Sequence, residues 1–248
     1  MIYFVNLLLT ATLLAVPSPT DSLQTVLLND MAALDAQYIP ALALTNKGDE
    51  HASRLAIRRL NTHWKTFKKK WSGYSTDDIH WKASLNDVHR HIDQAAAQIQ
   101  AGELPEAHEL LEEVRSLMME TRQRNHIPYF LDYLTAFHDP MEEVVMVASG
   151  SISIDSSTTR IQFVQENLPE LQRLWRNVES ADRQREIFHL KPDDWSNIES
   201  LISEEKDAIT ALKKAVKMQE EALIIRRAQA IKPPFVELYL SFGKFQSQ

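Results

Sequence analysis

Cysteine is absent from the 248-residue chain, and glycine is scarce, with only five residues. Without cysteine there can be no disulfide, no thiolate metal site, no lipid anchored through cysteine and no C-x-x-C-H attachment of haem. No glycine-rich phosphate loop, G-x-S-x-G, H-E-x-x-H or calcium-loop motif occurs either. Because no catalytic motif is present, we expect a binding protein rather than an enzyme.

Basic residues are outnumbered: 27 lysines and arginines face 34 acidic residues, which gives a net charge of −7. A protein that binds nucleic acid generally needs a basic surface to displace counterions from the phosphates. We therefore expect no nucleic-acid partner.

Extended alternation of Val, Ile and Thr is nearly absent, whereas strong helix formers such as Ala, Leu, Glu and Lys dominate. Apolar residues recur at spacings of three and four, the period of an amphipathic helix. The clearest run is Trp81, Leu85, Val88, Ile92, Ala95 and Ile99. The sequence predicts an all-α fold of seven to nine helices in antiparallel bundles.

Charged residues are missing from Met1 to Thr20, where an apolar run over Ile2–Val16 ends at Pro17. A bilayer span needs about 20 predominantly apolar residues, so this run is short for an anchor. It is typical of the hydrophobic region of a secretory signal peptide. We predict a signal peptide over residues 1–20 and a periplasmic or secreted mature chain without a membrane span. A retained membrane anchor is the alternative.

Prolines interrupt two of the predicted helices. We expect Pro40 to bend or end the first helix, and Pro140 to kink or restart the fifth. Gly102 is placed to end the third helix before the fourth begins. The small and polar stretch 149–159 reads as a linker.

The second half of the chain repeats features of the first. Pro128-x-Phe130-Leu131-Asp132 with Phe137 recurs, 105 residues later, as Pro233-x-Phe235-Val236-Glu237 with Phe242. A repeat of this kind usually means that one supersecondary unit is used twice. We predict two related helical bundles, over residues 21–148 and 160–248.

A strict heptad marks the second half: Trp195, Ile202, Ile209, Val216 and Leu223. This spacing favours shallow helix packing, as in bundles and coiled coils. Residues 193–232 form either one long helix or two helices with a turn near Glu204–Asp207. The apolar seam of the Trp195–Leu223 helix is a candidate surface for a protein partner.

The most suggestive polar pattern joins the fourth and fifth helices. His108 and Glu112 lie one turn apart, and His138 and Glu142 repeat that spacing. In an antiparallel hairpin each histidine lies level with the glutamate of the other helix. Two imidazoles and two carboxylates converging between helices suit zinc, copper or iron. The same four residues also fit a structural role, because each lies beside the apolar stripe of its helix.

One stretch resembles the soluble periplasmic b-type cytochromes, which are four-helix bundles. Its motifs are Ile92-Asp93-x-Ala95, Gly102-x-x-x-Glu106-Ala107 and Glu112, and the resemblance as a whole covers about 35 residues. The resemblance implies a hairpin of the third and fourth helices, and haem held by a Met of the first helix and a His of the fourth. The matching histidine position is Arg122 here, with His126 one turn further on and Met31 as the other possible ligand.

These observations predict an exported helical-bundle binding protein that holds a metal ion (Zn, Cu or Fe) or haem between helices. His108, Glu112, His138 and Glu142 are the candidate metal ligands. The alternative is a cofactor-free interaction or sensor module that uses the heptad helix.

Overall fold

The computed structural model describes residues 19–74, 78–153 and 159–245. Within these ranges the chain is all-α, which confirms the predicted fold class. Nine helices there have nine or more residues, as the predicted seven to nine allow, and one short helix of a single turn adds a tenth. The helices are α1 (Pro19–Asn46), α2 (Glu50–Trp71), α3 (Trp81–Ala101), α4 (Leu104–Arg124), α5 (Phe130–Ser149), α6 (Arg160–Ser180), α7 (Arg185–Phe188), α8 (Pro192–Met218), α9 (Glu221–Gln229) and α10 (Lys232–Leu240).

Residues 1–18 of the predicted signal peptide lie outside the described residues, and only its last two residues lie within them. None of the helices in the described ranges combines the length and the apolar character needed to cross a bilayer. The choice between signal peptide and anchor stays a prediction.

The first helix continues through Pro40 to Asn46. Of the two expectations, that Pro40 would bend the helix or end it, the second is wrong. Proline has no N–H, so the carbonyl of Ala36 loses its partner within the helix. The backbone N–H of Lys244 donates to that carbonyl at 2.8 Å. The approach depends on Gly243, since a Cβ there would lie 2.8 Å from the side chain of Ile39. The C-terminal segment thus satisfies the bond that Pro40 removes.

The fifth helix is likewise continuous, and the alternative in which Pro140 restarts it is wrong. One proline removes a single helical hydrogen bond. The residues on both sides of Pro140 are held by the core, because Phe137, Met141 and Val144 are fully buried. Packing of the apolar face therefore outweighs the local cost of the proline.

Neither alternative for residues 193–232 matches the structure. Helix α8 runs without a turn through Glu204–Asp207 and ends at Met218, where Gln219 adopts a left-handed conformation with φ 57°. Helices α9 and α10 follow. The heptad residues Trp195, Ile202 and Ile209 are buried, and Val216 and Leu223 pack half-buried on the same core. The apolar seam predicted for a partner is therefore covered by the chain itself.

Both halves contribute to one hydrophobic core. The two repeated segments cross-pack: the ring of Phe130 lies 5.8 Å from that of Phe242, and the ring of Phe137 lies 5.5 Å from that of Phe235. Each aromatic residue thus contacts the non-equivalent residue of the other repeat, and the duplication itself stays a prediction. The division into domains at 149–159 stays a prediction; α5 ends at the first residue of this segment, and α6 begins just after its last residue.

The start of α5 is capped from the second half. The side-chain oxygen of Gln184 accepts a hydrogen bond from the Phe130 N–H at 2.9 Å, and its Nε2 donates to the Pro128 carbonyl at 3.0 Å. Gln184 is buried and has a positive φ of 48°. One side chain from the second half therefore fixes the N-terminus of the helix that carries His138 and Glu142.

Candidate ligand-binding cleft

The four candidate metal ligands all line one cleft of about 550 Å³. Helices α1, α4, α5 and α10 form its walls. His108 and Glu112 come from α4, and His138 and Glu142 come from α5. The cleft is therefore the place where the polar pattern of the two helices comes together.

His108 is tied to the first helix. Its Nδ1 lies 3.2 Å from the carbonyl oxygen of Leu42 and 3.4 Å from Oγ1 of Thr45. Its Nε2 lies 3.6 Å from Oε1 of Glu112, one turn along α4. The ring is thus held in place by α1, with its other nitrogen towards the cleft carboxylate.

Arg115 lies between Glu112 and His138. Its side chain is 5% exposed, and its Nη2 forms an ion pair with Glu112. The same nitrogen is 2.6 Å from Nδ1 of His138, which is also 2.7 Å from Oδ1 of Asp139. This Nδ1 either accepts from Arg115 or donates to Asp139, according to the tautomer of the ring. A metal ion held by Glu112 and His138 would have to compete with the permanent positive charge of Arg115 for both side chains.

Glu142 is paired across the cleft with α10. Nζ of Lys232 lies 2.6 Å from its Oε1. The other oxygen, Oε2, is buried and has no hydrogen-bond partner. Glu142 therefore keeps an unused acceptor in the cleft wall.

Apolar side chains line much of the remaining wall: Ile39, Leu42, Met141, Met146, Phe235, Val236 and Leu240. The ring of His138 packs against Phe235, with the ring centroids 5.8 Å apart. The cleft thus combines an apolar wall with a charged one, an arrangement typical of sites for small organic ligands.

A small cavity of about 20 Å³ lies behind the cleft, and Arg115 and Tyr239 line both spaces. Asp35 borders this cavity and accepts a hydrogen bond from Tyr129 Oη at 2.7 Å. Burial raises the pKa of Asp35 to about 6, although Arg122 and the Tyr129 hydroxyl favour the ionised form. A polar cavity of this size holds about one water molecule.

The contacts of the candidate metal and haem ligands can be compared with what a metal ion or haem would need. Within the described residues, no three or more His, Asp or Glu side chains are grouped so as to hold a metal ion. At the histidine position implied by the cytochrome resemblance, Arg122 is held in a buried ion pair with Asp132. The hairpin of α3 and α4 with its turn at Gly102 is present, and Gly102 has a φ of 87°. The predicted hairpin is therefore present, while the resemblance to the cytochromes and the cofactor it implies stay predictions.

Three residues of the cleft were missed by the sequence reasoning: Arg115, Lys232 and Tyr239. Arg115 had a local signal, because it follows Glu112 by three residues and lies next to the apolar stripe of α4. Lys232 and Tyr239 had no local signal, because Lys232 contacts Glu142 and Tyr239 contacts Arg115, residues about 90 or more positions away in the chain.

Comparisons with models of known protein families, with curated proteins and with solved structures find no match to this chain. The function must therefore be argued from the cleft itself.

Proposed function

We propose that this chain is a binding protein that holds a small organic molecule in the cleft between α1, α4, α5 and α10. The observation that carries the proposal is the cleft itself, at about 550 Å³. Sites for small ligands commonly measure about 300–1,000 Å³ and combine an apolar lining with a few convergent polar groups. Arg115, Glu142 and His138 are those polar groups here.

A ligand screen by thermal shift tests the proposal. Ala43 lines the cleft on α1, and Ala83 is exposed on α3. We expect ligands that stabilise the wild-type protein and the Ala83→Trp variant but fail to stabilise Ala43→Trp, since the indole would fill the cleft. Stabilisation that is equal in both tryptophan variants would place binding elsewhere and contradict the proposal.

The metal or haem version remains a second candidate, favoured by the presence of both His108 and His138 on the cleft wall. A metal would have to compete with Arg115 for Glu112 and with Lys232 for Glu142. Elemental analysis and an absorption spectrum of protein purified without a His tag test this version. Stoichiometric metal or a haem band that is lost in the His108→Ala/His138→Ala variant would favour it over the organic ligand.

We also propose that the chain is exported, on the basis of the uncharged apolar segment at residues 1–20. Cell fractionation with intact-mass measurement tests this. A chain of full mass in the membrane fraction would favour the retained anchor instead.

A further inference from the structure

We infer that the ligand of the cleft is an organic cation: an amine whose charged group faces the carboxylates and whose apolar body lies on the opposite wall. This inference rests on the proposed function. Three features of the cleft indicate this class of ligand: the charges of its lining, the unused acceptor of Glu142 and the apolar wall.

Carboxylates outnumber cations in the lining of the cleft. Five acidic residues line it: Glu109, Glu112, Glu113, Asp139 and Glu142. Three cations face them: Lys47, Arg115 and Lys232. Arg115 and Lys232 are already paired with carboxylates of the cleft itself. The cations therefore neutralise their neighbours, and the net field in the cleft is negative.

Several acceptors of the cleft have no cationic partner. Within the described residues, neither Glu109 nor Glu113 forms an ion pair, and both are exposed at the rim. Deeper in the wall, Oε2 of Glu142 is buried without a hydrogen bond. A buried acceptor that lacks a donor is destabilising, because it has given up its hydrogen bonds to water without replacing them. An ammonium that reaches Oε2 of Glu142 would supply the missing donor.

The remaining surface fits an apolar body. Met146 on α5 lines the cleft together with Val236 and Leu240 on α10, and all three side chains are at least partly exposed. Methionine is flexible and polarizable, so it adapts to aromatic or aliphatic groups of different shapes. The cleft therefore suits an amphipathic amine better than a fully hydrated inorganic cation.

The cleft is unfavourable for an anionic ligand. Its only buried cationic partner in the lining is Arg115, which is 5% exposed and already bound to Glu112. A carboxylate or phosphate would have to displace Glu112 and would then face the remaining acids. Like charges brought together in this way cost affinity.

Three probes that share one body separate these classes: 4-phenylbutylamine, 4-phenylbutan-1-ol and 4-phenylbutanoate. Isothermal titration of the wild-type protein at pH 7 should show the amine binding about tenfold or more tightly than the alcohol, with the acid weakest. In Glu142→Gln the preference for the amine should fall several-fold, while the alcohol should bind unchanged. Glu170→Gln on α6 is the matched control, since Glu170 is exposed and paired with Arg173, and it should keep the full preference.

The outcomes separate the two proposals. Binding of the alcohol or the acid as tight as that of the amine, with loss in Ala43→Trp, would overturn the cationic class and leave the cleft as a binding site. An amine preference that is unchanged in Glu142→Gln would also overturn the inference, because the selective charge would then lie elsewhere. No binding of the amine overturns the inference, and the ligand screen then decides whether the cleft binds anything.

Discussion

At the scale of single residues, the buried ion pair of Arg122 and Asp132 joins the end of α4 to the start of α5. Nε of Arg122 lies 3.0 Å from each carboxylate oxygen, and Nη2 lies 2.5 Å from Oδ1. The guanidinium also lies 4.5 Å from the ring centroid of Tyr129. Such a pair is costly to break, because the remaining charge stays buried without its hydrogen-bonded partner. The pair fixes the α4–α5 connection below the cleft.

We predict that Asp132→Ala lowers the free energy of unfolding by about 3–5 kcal/mol. The matched exposed change, Glu170→Ala in the pair with Arg173, should lower the free energy of unfolding far less, because water screens that pair. Urea unfolding at pH 7 measures both. Equal losses in the two variants would mean that the buried pair does not hold α4 to α5.

Glu205 on α8 is fully buried, and neither carboxylate oxygen has a hydrogen-bond partner. Burial raises its pKa from 4.5 to about 9, with no contribution from a charged neighbour. The folded chain therefore keeps a proton that the unfolded chain releases above pH 4.5. Stability contributed by this group is complete below that pH and is lost as the pH rises towards 9.

We predict that Glu205→Leu is more stable than the wild-type protein at pH 8, with a flatter dependence of stability on pH. The wild-type protein should lose up to about 4 kcal/mol between pH 5 and pH 8 through this group. The exposed neighbour Glu204 gives the control, and Glu204→Leu should retain the wild-type slope. Unfolding free energies measured at several pH values decide the matter, and a slope unchanged in Glu205→Leu would refute the prediction.

At the scale of helices, the sequence predicts most where the apolar period is regular and local caps agree with it. Helices α2, α3 and α4 are expected from spacing, and Gly102 ends α3 in the left-handed conformation as predicted. The misjudged points are Pro40 and Pro140, whose local cost is offset elsewhere. For Pro40 the compensating donor is Lys244, about 200 residues away, and no local pattern could reveal it.

We predict that Gly243→Ala destabilises the docking of the C-terminal segment on α1 by about 1–3 kcal/mol, the usual cost of overpacking. The added Cβ would lie 2.8 Å from Ile39 and would disturb the hydrogen bond from Lys244 to Ala36. Gly73 is the control, since a Cβ there meets nothing within 4 Å. Hydrogen exchange at the Lys244 amide should speed up in Gly243→Ala and not in Gly73→Ala; equal rates would contradict the account.

At the scale of the whole molecule, the candidate site was predictable in part. Spacing alone singled out His108, Glu112, His138 and Glu142, and the fold brings all four to one cleft. The chemistry of that cleft was not predictable, because Arg115 and Lys232 neutralise the two glutamates. Lys232 comes from the second half of the chain, so the site exists only when α10 packs beside α5.

A crystallographic fragment screen on residues 21–248 tests the central claim most directly, because it reports where small molecules bind without assuming which molecules those are. We predict that fragments cluster between α1, α4, α5 and α10, that amines are over-represented among them and that their nitrogen lies near Glu142. Fragments that leave this cleft empty and collect at another surface would contradict the claim that the cleft is the binding site.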